Sequence, residues 1–193
     1  MTFPTDIKDY VKHYNNVFSK ELCNSAVNQL AKVDWATHQF YNNKQEYICV
    51  GDDFLQSRAQ FAEQEIIEKE IWNLLYRYTI TDLENYHEQF RWFGGWNSYT
   101  GIKFHRYIPG TNMKLHCDHI HDLFDGEVKG VPILTIIGLL NDDFKGGDFL
   151  LWDDQKINLT QGSVLIFPSN FMYPHRVSEV LQGERYSFVS WAW

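Results

Sequence analysis

Apolar and polar positions follow two different rhythms along this chain, and the change falls near its middle. In SKELCNSAVNQLAKV, Leu22, Ala26, Leu30 and Val33 recur at helical steps behind Ser19, whose hydroxyl can accept from a free N–H of a first helical turn. A helix is therefore predicted from Ser19 to Val33. A second is predicted from Asp53 through Arg77, because Phe54, Phe61, Ile66, Ile67, Ile71, Leu74 and Leu75 favour steps of three, four and seven. The intervening HQFYNNKQEYICVGDD lacks that period and is expected to be strand or loop, turning at Asn42 and Asn43.

Beyond Gly94 and Gly95 the helical period disappears and short apolar or alternating runs take over. Candidate strands are IKFHRYI, MKLHCDH, PILTIIGLL, DFLLW, KINL, SVLIF, HRVSEV and RYSFVSWAW, separated by turn signals at Pro109–Gly110, Gly146–Gly147, Gln161–Gly162 and Gln182–Gly183. So many short strands in about ninety residues predict a double-sheet jelly roll or small barrel braced by the N-terminal helices. The expected organisation is one domain over 1–193, with helical support over 1–90 and a jelly-roll core over about 99–193.

Composition narrows the function classes. The net charge of −8, with no basic run, argues against nucleic acid or an anionic membrane as partner. Three separated cysteines, Cys23, Cys49 and Cys117, give neither a disulfide framework nor a CxxC zinc site, and a reducing compartment suits them. The charged N-terminal stretch has no signal-peptide core and no apolar run reaches membrane-spanning length, so a soluble, intracellular, cytoplasmic protein is expected.

The densest chemistry lies in KLHCDHIHD. If this is a strand, side chains alternate, so His116 and Asp118 share one face while Cys117 and His119 share the other. An imidazole and a carboxylate two residues apart can reach one cation, and the third ligand must come from another element. Among His13, His38, His87, His105 and His175, the last is best placed, at a strand entry after SVLIFPSN. Two histidines and a carboxylate on one side of an octahedron make the facial triad of non-haem Fe(II) oxygenases. The competing reading of an isolated HxD is a hydrogen-bonded pair on a rim.

YIPGTNMKLHCDH, LTIIGLLNDDFKGGDFLLW and GSVLIFPSNFMYPHRVSEVLQGERYSFVSWAW, in that order, resemble the prolyl 4-hydroxylase-like branch of the Fe(II)- and 2-oxoglutarate-dependent dioxygenases over roughly residues 99–193. The resemblance implies a mainly β fold with N-terminal helices, a double-stranded β-helix (jelly roll), with His116, Asp118 and His175 as metal ligands. It also implies that Arg185, ten residues beyond His175, binds the distal carboxylate of 2-oxoglutarate. A guanidinium suits that task because its planar fork matches a carboxylate and keeps its charge when desolvated. Ser187, on the same strand face, and Tyr107, from the Y-x-x-G lead-in, are further candidate donors to the cosubstrate. Trp191 either walls the pocket or fills the core. One departure stands out: many relatives carry Tyr-Leu-Asn where this chain has Leu139-Leu140-Asn141, so a hydroxyl that often contacts the cosubstrate is missing, and Ser187 or Tyr107 is left to replace it.

His119 and His121 are expected in a loop beside the site, with Asp122 as their neighbour. Cys117 is read as a small buried hydrophobe, Arg106 as a surface pairing residue, and RWFGGWNSY as lid or packing. The implied reaction uses Fe(II), 2-oxoglutarate and dioxygen to hydroxylate a C–H bond, first among candidates that of a prolyl residue in a peptide or protein. Alternatives are hydroxylation of a free amino acid or small metabolite, or a non-catalytic jelly-roll binding module. Zinc hydrolysis leaves the GERYS segment unexplained.

Overall fold

The computed structural model of the chain describes residues 6–41, 47–48, 54–78, 96–118 and 132–193. With strands numbered in chain order, the larger sheet has seven: β1 (Lys12–Tyr14), β12 (Val164–Pro168), β8 (Leu134–Leu139), β15 (Arg185–Ala192), β6 (Lys103–Tyr107), β5 (Leu55–Ser57) and β2 (Ala36–Thr37), in that spatial order. The smaller has four: β11 (Gln155–Ile157), β10 (Phe149–Leu151), β13 (His175–Val177) and β7 (Met113–His116). Two ribbons complete the described strands, β14 (Val180–Gln182) with β9 (Lys145–Gly146), and β3 (Phe40–Tyr41) with β4 (Tyr47–Ile48). All of these pairings are antiparallel.

Strand alternation divides the core in two. Ile136, Val164, Ile166, Phe188 and Ala192 face one way from the larger sheet and pack with Cys23, Ala26, Leu30, Ile67, Ile71 and Leu75 of the two helices, α1 (Lys20–Leu30) and α2 (Ala62–Tyr76). Ile137, Leu165, Phe167 and Val189 face the other way and meet Phe149, Leu151 and Val177 of the smaller sheet. Each fully buried aliphatic or aromatic side chain contributes about 1.5–3 kcal/mol, so both layers bind the larger sheet firmly. The two-sheet sandwich with helices on one outer face is the expected double-stranded β-helix.

The helices form where the apolar spacing predicts them, with two differences: α1 ends at Leu30, short of Val33, and α2 starts late. Ser19 caps α1 by accepting from the Leu22 N–H at 3.2 Å. α2 begins at Ala62, well past Asp53, because Leu55–Ser57 pairs with β6 instead. Phe54 lies buried in the inter-sheet core against His105 and Tyr107, so its seven-residue step to Phe61 is not a helical repeat. β1 and β2 likewise join the larger sheet, and the first ninety residues therefore supply sheet edges as well as helices. HRVSEV divides into β13 and β14. The turn at Asn42 and Asn43, Cys49 and His87 lie outside the described residues. No described helix is long and apolar enough to cross a membrane.

Candidate functional site

β7 and β13 pair so that His116 stands directly opposite His175, with ring centroids 4.3 Å apart. Strand β7 ends at His116, one residue before Cys117 and two before Asp118. The carboxylate nevertheless reaches the imidazoles, with Asp118 Oδ1 lying 3.6 Å from His116 Nε2 and 3.8 Å from His175 Nε2. One ligand atom from each residue falls within 4.8 Å of the others.

The surroundings prepare these atoms for a cation. His116 Nδ1 lies 2.8 Å from the Lys114 carbonyl and His175 Nδ1 lies 3.1 Å from the Tyr173 carbonyl. Each Nδ1 donates its proton there, leaving the Nε2 lone pair directed at the shared centre. The second oxygen of Asp118 accepts from the Thr135 hydroxyl, which is itself 2.6 Å from the Ser169 hydroxyl. Burial raises the Asp118 carboxyl, but His175, His116 and Thr135 outweigh it and hold the group well below the usual carboxylate range. Burial lowers His175, with Asp118 offsetting only part of the effect; burial also lowers His116, but its bond to Asp118 prevails and the net shift is upward. An ionised carboxylate with two imidazole nitrogens is a donor set suited to divalent iron.

A second polar group projects from the facing sheet. Arg185 is 2% exposed, yet no carboxylate among the described residues pairs with it. One terminal nitrogen donates to the Ser187 hydroxyl at 2.7 Å, while Nε is buried without an acceptor. The guanidinium carbon lies 5.0 Å from the Tyr107 ring and 6.0 Å from that of Phe144. Tyr107 and Arg185 are cross-strand partners, and the Tyr107 hydroxyl donates to Met113 Sδ at 3.8 Å. Burial lowers the Arg185 pKa, Tyr107 and Asp148 working against it. A buried cation with so little compensation creates strong demand for an anion.

The backbone around Arg185 is fixed by Asn141. Its side-chain carbonyl accepts from the Tyr186 N–H at 2.7 Å and its amide donates to the Glu184 carbonyl at 2.7 Å, bracketing the arginine on both sides. Gly147 must lack a side chain here: with φ +63°, a Cβ would lie 3.0 Å from both Arg185 Cδ and Val180 Cγ2.

The structure brings His116, Asp118 and His175 together and sets Arg185, Ser187 and Tyr107 together on the opposing sheet. Trp191 is the cross-strand partner of Thr135; its indole packs with the inter-sheet core, and its Nε1 is buried without an acceptor. Arg106 forms the expected surface ion pair, with Glu184 at 2.6 Å. Cys117 departs from expectation, being only half-buried with its thiol 3.6 Å from the Phe171 carbonyl, because the strand has ended and no core face receives it. Trp96, from the aromatic segment after Gly94 and Gly95, packs edge-on against Trp72 of α2 at 4.5 Å. His119, His121 and Asp122 lie outside the described residues. Thr135 and Ser169 were not legible from spacing. The available signal was a lone hydroxyl inside the apolar run PILTIIGLL.

The family model of the 2OG-Fe(II) oxygenase superfamily matches residues 102–193, a span containing every residue of both polar groups. That stretch, a little under half of the chain, is similar to this superfamily. A PKHD-type hydroxylase of Prochlorococcus marinus (strain MIT 9215) is 30% identical over 94 residues, which is 47% of this chain and 40% of that protein. The match thus spans less than half the length of that curated relative. Among solved structures, a prolyl-4-hydroxylase of Pseudomonas putida superposes with a TM-score of 0.63 at 14% identity, covering 96% of this chain and 95% of that one. A prolyl hydroxylase of Trichoplax adhaerens, in complex with a hypoxia inducible factor oxygen degradation domain peptide fragment, gives 0.65 at 15%, covering 96% and 84%. The viral collagen prolyl hydroxylase of Paramecium Bursaria Chlorella virus-1 gives 0.61 at 14%, covering 95% and 94%. At this level of identity these likenesses establish the double-stranded β-helix fold alone.

Proposed function

We propose that the chain is an Fe(II)- and 2-oxoglutarate-dependent dioxygenase that hydroxylates a substrate C–H bond, with a prolyl residue of a peptide or protein as the leading substrate. The observation that carries this reading is the pairing of two polar groups across one sandwich: a His-Asp-His cluster on one side and, on the other, a buried guanidinium that no carboxylate among the described residues pairs with. His116, Asp118 and His175 would hold Fe(II), leaving coordination positions for a second ligand. Arg185 would take the distal carboxylate of 2-oxoglutarate, aided by the Ser187 hydroxyl and the Tyr107 face. Bound there, Fe(II) would supply the dioxygen activation that couples oxidative decarboxylation of 2-oxoglutarate, to succinate and carbon dioxide, with hydroxylation of a substrate C–H bond.

The chain's own share is placement. Thr135 orients the Asp118 carboxylate, the Lys114 and Tyr173 carbonyls fix both imidazole tautomers, and Asn141 sets the strand that presents Arg185. Inter-sheet residues such as Ile137, Phe149 and Val189 exclude water behind the site. The prolyl reading draws support from the three prolyl hydroxylases with this fold and from the PKHD-type hydroxylase. The test is anaerobic titration with Fe(II) and 2-oxoglutarate, then exposure to oxygen with and without proline-containing peptides. Succinate formation that rises with peptide, together with peptide mass gain of one oxygen, is expected; absence of metal-dependent 2-oxoglutarate binding would sink the proposal.

A further inference from the structure

Ser187 has two cross-strand neighbours on its face of the larger sheet. On one side stands Leu139, where the resembling sequences carry a tyrosine; on the other stands His105, with Gln56 next along the same row. His105 is 8% exposed and makes no hydrogen bond among the described residues. One face of its ring rests on Phe54, centroids 4.3 Å apart at 45°, and its centroid lies 6.3 Å from that of Tyr107. Neither ring nitrogen bonds to a described residue, so the ring keeps its polar edge for a ligand. Neighbouring Gln56 Oε1 is buried without a donor, so this row of the sheet is short of a polar partner next to His105.

From this geometry we infer that His105 is a cosubstrate-binding residue, whose ring N–H donates to the distal carboxylate of 2-oxoglutarate beside Arg185 and Ser187 and supplies the hydrogen bond that Leu139 cannot. The inference rests on the proposed use of 2-oxoglutarate. Its geometric basis is the alternation that puts Arg185, Ser187, Tyr107 and His105 on one face in adjoining cross-strand pairs, Arg185 with Tyr107 and Ser187 with His105. Burial, with the charges of Lys103, His38 and Arg185, keeps His105 well below the usual imidazole range despite the opposing influence of Asp118. The ring is therefore neutral at pH 7, with one N–H to give. Phe54 holds it in place, leaving the ring edge to meet a ligand.

The test compares 2-oxoglutarate with 2-oxobutanoate, which keeps the keto acid but lacks the distal carboxylate, in anaerobic titrations of the Fe(II)-loaded chain. His105→Phe, which preserves a ring over Phe54, is expected to weaken 2-oxoglutarate binding about tenfold or more, the worth of a hydrogen bond to a charged group. It should leave Fe(II) and 2-oxobutanoate affinities unchanged, and His105→Gln, which retains a donor, should recover part of the loss. In the wild-type chain loaded with Zn(II), the His105 imidazole nitrogen resonances should move on addition of 2-oxoglutarate and stay fixed with 2-oxobutanoate, a readout independent of whether a variant folds. Equal weakening of both ligands, unchanged 2-oxoglutarate affinity in the variant, or unmoved resonances in a wild type that binds 2-oxoglutarate would each overturn the role of His105 alone. A wild type that binds no 2-oxoglutarate overturns the proposed function, and this inference with it.

Discussion

His116 and His175 face each other across neighbouring antiparallel strands, and each aims Nδ1 at the main-chain carbonyl two residues before it. The same local geometry thus orients both imidazoles, and sheet register sets their separation. Of the three, Asp118 alone takes a hydrogen bond from the other sheet, through Thr135.

That bond makes Thr135 a sensitive position. Thr135→Val keeps the branched shape inside β8 but removes the hydroxyl that holds Asp118, and Fe(II) affinity is expected to fall about 10–100-fold with the fold intact. Asp118→Ala removes the charged member of the cluster and, on the proposed function, should abolish iron-dependent succinate formation. Calorimetric metal titration beside circular dichroism checks both, and wild-type affinity in Thr135→Val would mean that the hydroxyl does not orient the carboxylate.

Arg185→Met should act in opposite directions on two measurements. Replacing a buried, poorly paired cation with an apolar side chain removes a desolvation penalty, so the thermal midpoint of the ligand-free chain should hold or rise. The 2-oxoglutarate requirement should rise about 30-fold or more, as for truncation of a buried charge pair. Thermal unfolding with and without 2-oxoglutarate, in the presence of Mn(II), reads both effects. A large fall in the ligand-free midpoint would indicate a structural role for the cation.

Acidification should weaken the metal-free fold before the carboxylates titrate. Burial holds His105 and His175 below 6.5, so as pH falls through 6.5 the unfolded chain takes up protons that the folded chain refuses, and stability declines. His13, also lowered by burial, acts in the same direction. His116 is raised and acts oppositely: its contribution is full below 6.5 and is lost as pH climbs through its folded value. The Asp118 contribution is lost only below 3.8, the ordinary value from which its carboxyl is depressed. With three imidazoles against one, the urea midpoint is expected to be lower near pH 5.5 than near pH 7.5, and His105→Phe should reduce the difference. A midpoint that rises on acidification would contradict this balance.

Gly138 offers a test of packing between the helix layer and the larger sheet. A Cβ there would lie 2.1 Å from the Phe188 ring, which is fully buried on the adjacent strand. Gly138→Ala should cost about 1–3 kcal/mol through overpacking, measured by denaturant unfolding; a neutral result would show that the ring can withdraw.

Much of this site can be read along the chain because its residues belong to regular strands. Alternation places Arg185, Ser187 and Trp191 on one face, and strand order brings His175 to His116. The sequence conceals what depends on contacts distant in the chain. Thr135 reads as one more β-branched residue in a buried run, although its hydroxyl reaches Asp118. Phe54 fits a helical repeat with Phe61 because the seven-residue interval has the same spacing whether or not a helix spans it. Lys12–Tyr14 is too short to display any period, yet its backbone completes an edge of the larger sheet. Strand alternation through Cys117 implies a core face for its thiol, but β7 ends at His116.

The imidazoles of His116 and His175 stand on the smaller sheet and Arg185 on the larger, with Ile137, Phe149, Leu151, Val177 and Val189 packed between the sheets. Those side chains act as the fixed jaws of a caliper. A keto diacid shorter by one methylene cannot span the same opening without drawing the jaws together, and a close-packed interior resists that movement. On the proposed function, selection between oxaloacetate and 2-oxoglutarate would therefore reside partly in these apolar residues.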